Sequence, residues 1–220
     1  MPSQSSPSQS IDMPPQALAP QQARLTRKGE ATRARIVAAA AREMFERGVA
    51  RTSLDEVKAA AGVSSSQLYH YFADKRALVL AVIEHQTQAI LDGQQPLLSH
   101  LDSLDALRAW RDLLVGIQRQ LHCQGGCPIG SIGAELAETD ELARAEVADG
   151  FSRWETPIRD GLRAMQARGE LHGDPDELAL ATLAALQGGL LLTQIRRETK
   201  PLEAALDAMI DHIASLTTSD

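Results

Sequence analysis

Four consecutive polar residues, Ser64, Ser65, Ser66 and Gln67, stand just ahead of three amphipathic hydrogen-bonders, Tyr69, His70 and Tyr71. Serine hydroxyls both donate and accept, and a glutamine amide can bond adenine through two atoms at once. The run therefore carries the chemistry of reading base edges in a major groove. The aromatic hydroxyls and imidazole behind it suit the level of the phosphates. Lys75 follows Asp74, a candidate N-cap, so a cation and free backbone N–H groups converge where an anion could sit. Thr52 joins them as a further candidate phosphate contact. The remaining reactive side chains are Cys123 and Cys127, within HCQGGCPIGSIGAEL at 122–136. Their spacing is not C-x-x-C, and a zinc site built on His122, Cys123 and Cys127 lacks an evident fourth ligand. Cys127 has two readings: a reactive thiol, which requires a depressed pKa, or a small buried hydrophobe in a tight turn. There is no Ser–His–acid spacing and no phosphate-binding glycine loop. An enzyme is not expected, nor a cofactor or a metal.

The elements that must position the polar run are legible around it. Ser53 and Glu56 form an S-x-x-E capping box, and Ser64 and Gln67 form a second. Between them Leu54, Val57 and Ala61 line one helix face, and Gly62 marks a left-handed stop. A short apolar helix, a glycine turn and a capped polar helix is the sequence form of a helix-turn-helix. Ahead of it, a helix over 30–47 carries an apolar stripe of Ile36, Val37, Ala40, Ala41, Met44 and Phe45, expected to brace the motif, with Phe45 in its small core.

The segment from about Arg33 to Leu80 resembles the DNA-binding domain of the tetracycline-repressor (TetR) family. The resemblance rests on Ile36, Phe45, Gly48, Thr52, Val57, Ala61-Gly62-Val63-Ser64, Leu68-Tyr69, Tyr71-Phe72, Lys75 and Leu78. Two places depart from the family pattern, Ser65-Ser66-Gln67 after the motif serine and Lys58 before the alanine run, so base preference is not carried over. The resemblance implies a homodimer on a near-palindromic double-stranded DNA operator, and a small-molecule inducer that binds the body and lowers DNA affinity. A cysteine at the place of Cys127 senses electrophiles or oxidants in a subset of the family, which leaves a redox-triggered repressor as the alternative.

Charge is divided along the chain in the same sense. The whole carries −7, yet residues 24–76 hold 11 Lys/Arg against 6 Asp/Glu, while residues 77–220 hold 11 against 22. A basic head on an acidic body suits duplex DNA. Residues 1–23, rich in Ser, Gln and Pro, read as a disordered tail without a targeting segment. Arg24, Arg27 and Lys28 form a basic arm or a solvated charge run. The chain is expected to be cytoplasmic.

The expected fold is all-α, about nine helices, with a helix-turn-helix domain at 24–76 and a ligand-binding and dimerisation domain at 77–220. Helices are expected over 74–91, 104–122, 140–168 and 178–195, then one opening at Pro201, with 122–136 the most irregular part of the body. Trp110, Ile117, Gln118, Cys127, Phe151, Trp154 and Met165 face inward and are candidate ligand contacts. The 178–195 helix, apolar nearly all round, is read as buried on every side rather than as a membrane span. Leu202, Leu206, Met209, Ile213 and Leu216 are spaced 4, 3, 4, 3, an a/d seam. With Leu183, Gly188 and Leu191 it is assigned to a four-helix interface between two chains.

Overall fold

The computed structural model describes residues 26–218, so the tail at 1–23 and Arg24 lie outside the described residues. Among them the fold is all-α: nine α-helices, one 3-10 turn at Leu97–Ser99, and a single isolated β-bridge between Leu171 and Thr217.

Helix α1, Arg27–Arg47, starts at Thr26, whose hydroxyl accepts from Gly29 N, and stops at Gly48. Its stripe is buried from Ile36 to Met44, but Phe45 is 42% exposed and leaves the head core. The reason is geometric. Phe45 points past the head to the loop before residue 127, where a Cβ built on Gly125 would fall 2.0 Å from its ring. Truncating it would loosen a head–body contact rather than empty the head core. Helices α2, Leu54–Ala61, and α3, Ser65–Tyr71, each open with a complete capping box, and Gly62 between them adopts φ 61°, ψ 43°. Helix α4, Lys75–Asp92, starts at the Asp74 cap. Its Leu78, Val79, Val82 and Ile83 pack with α1 to α3, and so do Ile132, Ala143 and Val147 of the body. The apolar cluster of the head therefore runs on into the body without a gap.

The body adds α5, Leu104–Gln120; α6, Pro128–Leu136; α7, Glu141–Ala167; α8, Pro175–Arg196; and α9, Lys200–Ser215. Helix α6 occupies the stretch read from sequence as irregular. Cys127 is its N-cap, Pro128 its first residue, and Ile129 and Ile132 are buried. Pro at the first helical position costs no hydrogen bond, and one apolar face repays the low propensity of Gly130 and Gly133. Helix α7 continues through Pro157. At its centre, Trp110 Nε1 and Trp154 Nε1 donate to the same oxygen, Gln94 Oε1, at 2.8 and 3.1 Å. Gln94 Nε2 in turn donates to Ile90 O at 2.9 Å. This amide satisfies both buried indoles of the body.

The a/d seam of α9 faces its own chain. Leu202, Leu206 and Ile213 are at most 1% exposed, in one cluster with Leu183, Leu186 and Leu190 of α8. Leu183, Leu202, Leu206 and Ile213 are thus buried within their own chain, and Met209 is only part-buried. A 3.5-residue spacing states that a stripe is buried, not by which chain. Helix α8 is not buried all round either. Leu180, Leu191, Leu192 and Ile195 are 44–67% exposed, and Ala181, Ala184 and Gly188 are exposed between them. At ~100° per residue these seven positions fall within roughly 120° of one another, one continuous apolar stripe. At 22 residues α8 is longer than the apolar run suggested, and it is the one described helix long and apolar enough to cross a membrane. Its apolar excess divides between the core and that stripe.

Close approach of α8 to α9 occurs at Gly189, where an added Cβ would lie 2.9 Å from Leu202 Cα; Gly188 has open space. Backbone cannot give way as a side-chain tip can. Gly189→Ala is expected to destabilise the chain by about 1–3 kcal/mol, read as a lower urea midpoint.

Candidate nucleic-acid interface and the body cavities

The tip of the helix-turn-helix is built by its caps. Ser64 Oγ accepts from Gln67 N at 3.2 Å, and Gln67 Oε1 accepts from Ser64 N at 3.0 Å. Gln67 therefore spends its acceptor on the cap, and a bidentate adenine contact is not open to it while the cap holds. Ser65 Oγ accepts from Lys58 Nζ at 3.1 Å. Ser66, Tyr69 and His70 are exposed and carry no hydrogen bond among the described residues. They are the free groups on the outer face of α3. Tyr71 is half-buried with its ring 4.8 Å from that of His70, edge to face. Phe72 is buried beneath the Arg33 guanidinium, 5.2 Å from the ring centroid. Arg35 Nε donates to Ala61 O at 3.0 Å and closes the end of α2.

Two expected phosphate contacts are placed differently. Thr52 is 1% exposed, and its hydroxyl donates to Gly48 O at 2.9 Å. It closes the turn after α1 and presents no side chain to a phosphate. Lys75 Nζ donates to Val49 O, so its cation lies along the same turn and would have to leave this carbonyl to meet a phosphate. The geometry leaves Ser64 to Gln67, Tyr69 and His70 exposed, with Tyr71 half-buried, and assigns Thr52 to the support behind them.

Beside the shared apolar cluster, three side-chain contacts tie this head to α6 or the loops at its ends. The Glu135 carboxylate accepts from Val49 N at 2.8 Å and from Ala50 N at 2.5 Å. The Phe45 ring covers Gly125. Arg76 donates through Nε and Nη2 to Asp140 Oδ1 at 3.1 and 2.7 Å. Asp140 is also the N-cap of α7. Its carboxyl is held below the usual range, first by the Arg76 bond and then by the Ala143 amide.

Two of the cavities that adjoin α6 are bordered by candidate ligand contacts. The larger, about 580 Å³, lies between α6, α7 and α8 and is bordered by Ser131, Ala134, Val147, Phe151, Gln187 and Gln194. The smaller, about 260 Å³, lies between α4, α5, α7 and α8 beneath Phe45, and is bordered by Ile117, Gln118 and Trp154. Cys127 borders both. Of the inward residues read from sequence, Trp110 and Met165 border neither. Both are sealed in the body core at 1–2% exposure, Trp110 by its bond to Gln94. Facing inward and facing a void are different properties, and only packing distinguishes them. The sequence reading also missed Phe45, Gln94 and Glu135. For Glu135 no sequence signal exists, because its partners lie about 85 residues away.

Cys127 is not an activated thiol. It is 9% exposed, and burial pushes its pKa up to about 11 against weaker opposing bonds from Gly130 N, Ile129 N and Gln187. The thiol is the N-cap atom, with Gly130 N 3.4 Å from Sγ. Among the described residues no three His, Cys, Asp or Glu side chains are grouped to hold a metal ion.

Residues 36–82 match the family model of bacterial regulatory proteins of the tetR family, and residues 103–208 match the C-terminal domain of LmrA/YxaF-like transcriptional regulators. The HTH-type transcriptional repressor DhaR of a Mycobacterium species is 28% identical over 79% of this chain and 87% of its own length. The transcriptional regulator AcuR of Cereibacter sphaeroides is 28% identical over 83% of this chain and 85% of its own. A solved TetR transcriptional regulator from Chloroflexus aurantiacus superposes with a TM-score of 0.75, 28% identity, and coverage of 87% of this chain and 98% of that one.

A pKa raised from 9.0 to about 11 leaves roughly a hundredth of the thiolate of an ordinary cysteine at pH 7. Iodoacetamide labelling of Cys127, followed by peptide mass spectrometry, is expected to be slower than that of free cysteine by about that factor. It should rise about tenfold per pH unit from 7 towards 10. Labelling at the free-cysteine rate at pH 7 would restore the redox-trigger alternative.

Proposed function

We propose, on the premise that this chain belongs to the TetR family and is a DNA-binding transcriptional regulator, that it is a homodimeric repressor released from a near-palindromic operator by a small molecule held in the body. The observation that carries the reading is the position of α6. It borders the larger cavity, its first residue Pro128 borders the smaller, and its last turn holds the head by Glu135. A guest that displaces α6 or the loop before it pulls on the corner between α1 and α2. Binding and release then require only that the guest prefers the arrangement in which the heads miss successive grooves. A hundredfold loss of operator affinity needs about 2.7 kcal/mol of such preference.

The surface for base edges is Ser64 to Gln67. Ser65 and Ser66 supply permissive hydroxyls, and Tyr69, His70, Tyr71 and Lys75 supply phosphate contacts. The head's positive charge supports this placement, and the acidic body disfavours other orientations on the duplex. DhaR, a relative named a transcriptional repressor, supports the sign of regulation. A regulator that acts on DNA without a membrane anchor works in the cytoplasm, which supports that location.

The apolar stripe of α8 supports the homodimer. Leu180, Leu191 and Ile195, with Ala184 and Gly188 between them, would be an aggregation hazard on a lone chain and make a self-complementary face against a second copy. The two α8 helices would then meet across this stripe. The α8 half of the interface read from sequence, Gly188 and Leu191, is retained, and the α9 seam is replaced by the stripe.

Selection of random duplexes on the wild-type chain is expected to return a near-palindrome with half-sites about one or more helical turns apart. Leu191→Asp should yield a folded monomer by sedimentation and circular dichroism, with operator affinity at least a hundredfold lower. A dimer that survives this change, or a monomer that binds as tightly as wild type, would refute the arrangement.

A further inference from the structure

The smaller cavity contains one polar group without an occupation. Gln118 is 5% exposed, borders the cavity, and its amide oxygen has no hydrogen-bond partner. A buried unpaired amide oxygen is costly, so native chains rarely keep one without a use. The other amide at the wall, Gln94, has both its oxygen and its nitrogen engaged, by the two indoles and by Ile90 O. The rest of the lining is apolar, including Phe45, Ile90, Leu114 and Trp154, and no Asp, Glu, Lys, Arg or His borders the space. A charged guest would find no opposite charge to pair with. At about 260 Å³ the cavity equals the liquid volume of roughly nine waters, the room of a single-ring molecule.

We propose that this cavity binds an uncharged, mostly apolar molecule of single-ring size that carries one hydroxyl, anchored by that hydroxyl on the Gln118 amide. A hydroxyl both donates and accepts, so it satisfies either orientation of the amide. Guest and head share a wall. The Phe45 ring of α1 borders the cavity from above, and Gly126, Cys127 and Pro128 at the start of α6 border its side. The proposal rests on the ligand-responsive reading above for its regulatory consequence only; the site itself stands on the cavity and the unpaired amide.

The test compares 4-ethylphenol with ethylbenzene, two probes of the same shape that differ by the hydroxyl. They are titrated into the full chain by tryptophan fluorescence, which Trp154 at the cavity wall reports, and by calorimetry. Wild type should bind the phenol about tenfold more tightly, the size of one net hydrogen bond. Gln118→Leu, similar in volume, should erase that difference. Ile117→Trp should block both probes while circular dichroism is unchanged, which keeps the test valid should the Gln118 variant fold poorly. Equal affinities in wild type, a preference that survives Gln118→Leu, binding that survives Ile117→Trp, or no binding of either probe at aqueous saturation would overturn the site. Operator affinity in the same titrations separates the two readings. Probe bound in a Gln118-dependent way upholds the site, and a retained operator then contradicts only its regulatory role.

Discussion

The Glu135 carboxylate grips two backbone amides at the corner between α1 and α2, and the orientation of the head depends on that grip more than on any other polar contact. Val49 N and Ala50 N fall where the chain leaves α1 and has not yet entered α2, so neither has a helical partner. An ionised carboxylate is the strongest acceptor a protein can offer them. The apolar cluster that spans α1 to α4 and continues into Ile132, Ala143 and Val147 adds area to the junction but little direction. Burial holds surfaces together without fixing an angle, whereas a two-pronged hydrogen bond does fix one. The Arg76–Asp140 pair is exposed and worth less, although its carboxylate also starts α7.

This constraint explains why a glycine-bearing helix of nine residues sits at the junction of head, cavities and body. Helix α6 has weak propensity and is fixed by context: the Cys127–Pro128 start, two buried isoleucines, and Glu135 at its far end. An element stabilised mainly by its neighbours shifts when a neighbour changes, and both cavities adjoin it or its first residue. The same economy accounts for Cys127. As a buried cap its thiol is pushed towards the protonated form, and it stands at the wall of both cavities.

The head was legible in the sequence because its signals are local. Two capping boxes, Gly62 in the left-handed region and the Asp74 cap are all written within four residues of the atoms they serve. Sequence does not decide where a residue has two possible partners. Gln67 can cap or read adenine, and the cap occupies its acceptor. Thr52 was expected at a phosphate and closes a turn instead. Phe45 continues the α1 stripe in sequence but belongs to the loop before α6 in space. The α9 seam is buried as its spacing demands, yet against α8 of its own chain, and the stripe left for another surface is on α8. Long-range partners such as Glu135 with Val49, or Gln94 with both indoles, have no periodicity and could not have been read from one chain.

The central claim is that body and head move as one unit through Glu135. Spin labels on the exposed α3 position Ser66, introduced as Ser66→Cys in the proposed dimer, would report the separation of the two heads by pulsed dipolar spectroscopy. Wild type should give one narrow distance distribution, and Glu135→Ala should broaden it while circular dichroism and dimerisation stay unchanged. An equally narrow, unshifted distribution in Glu135→Ala would show that the head is oriented by something else.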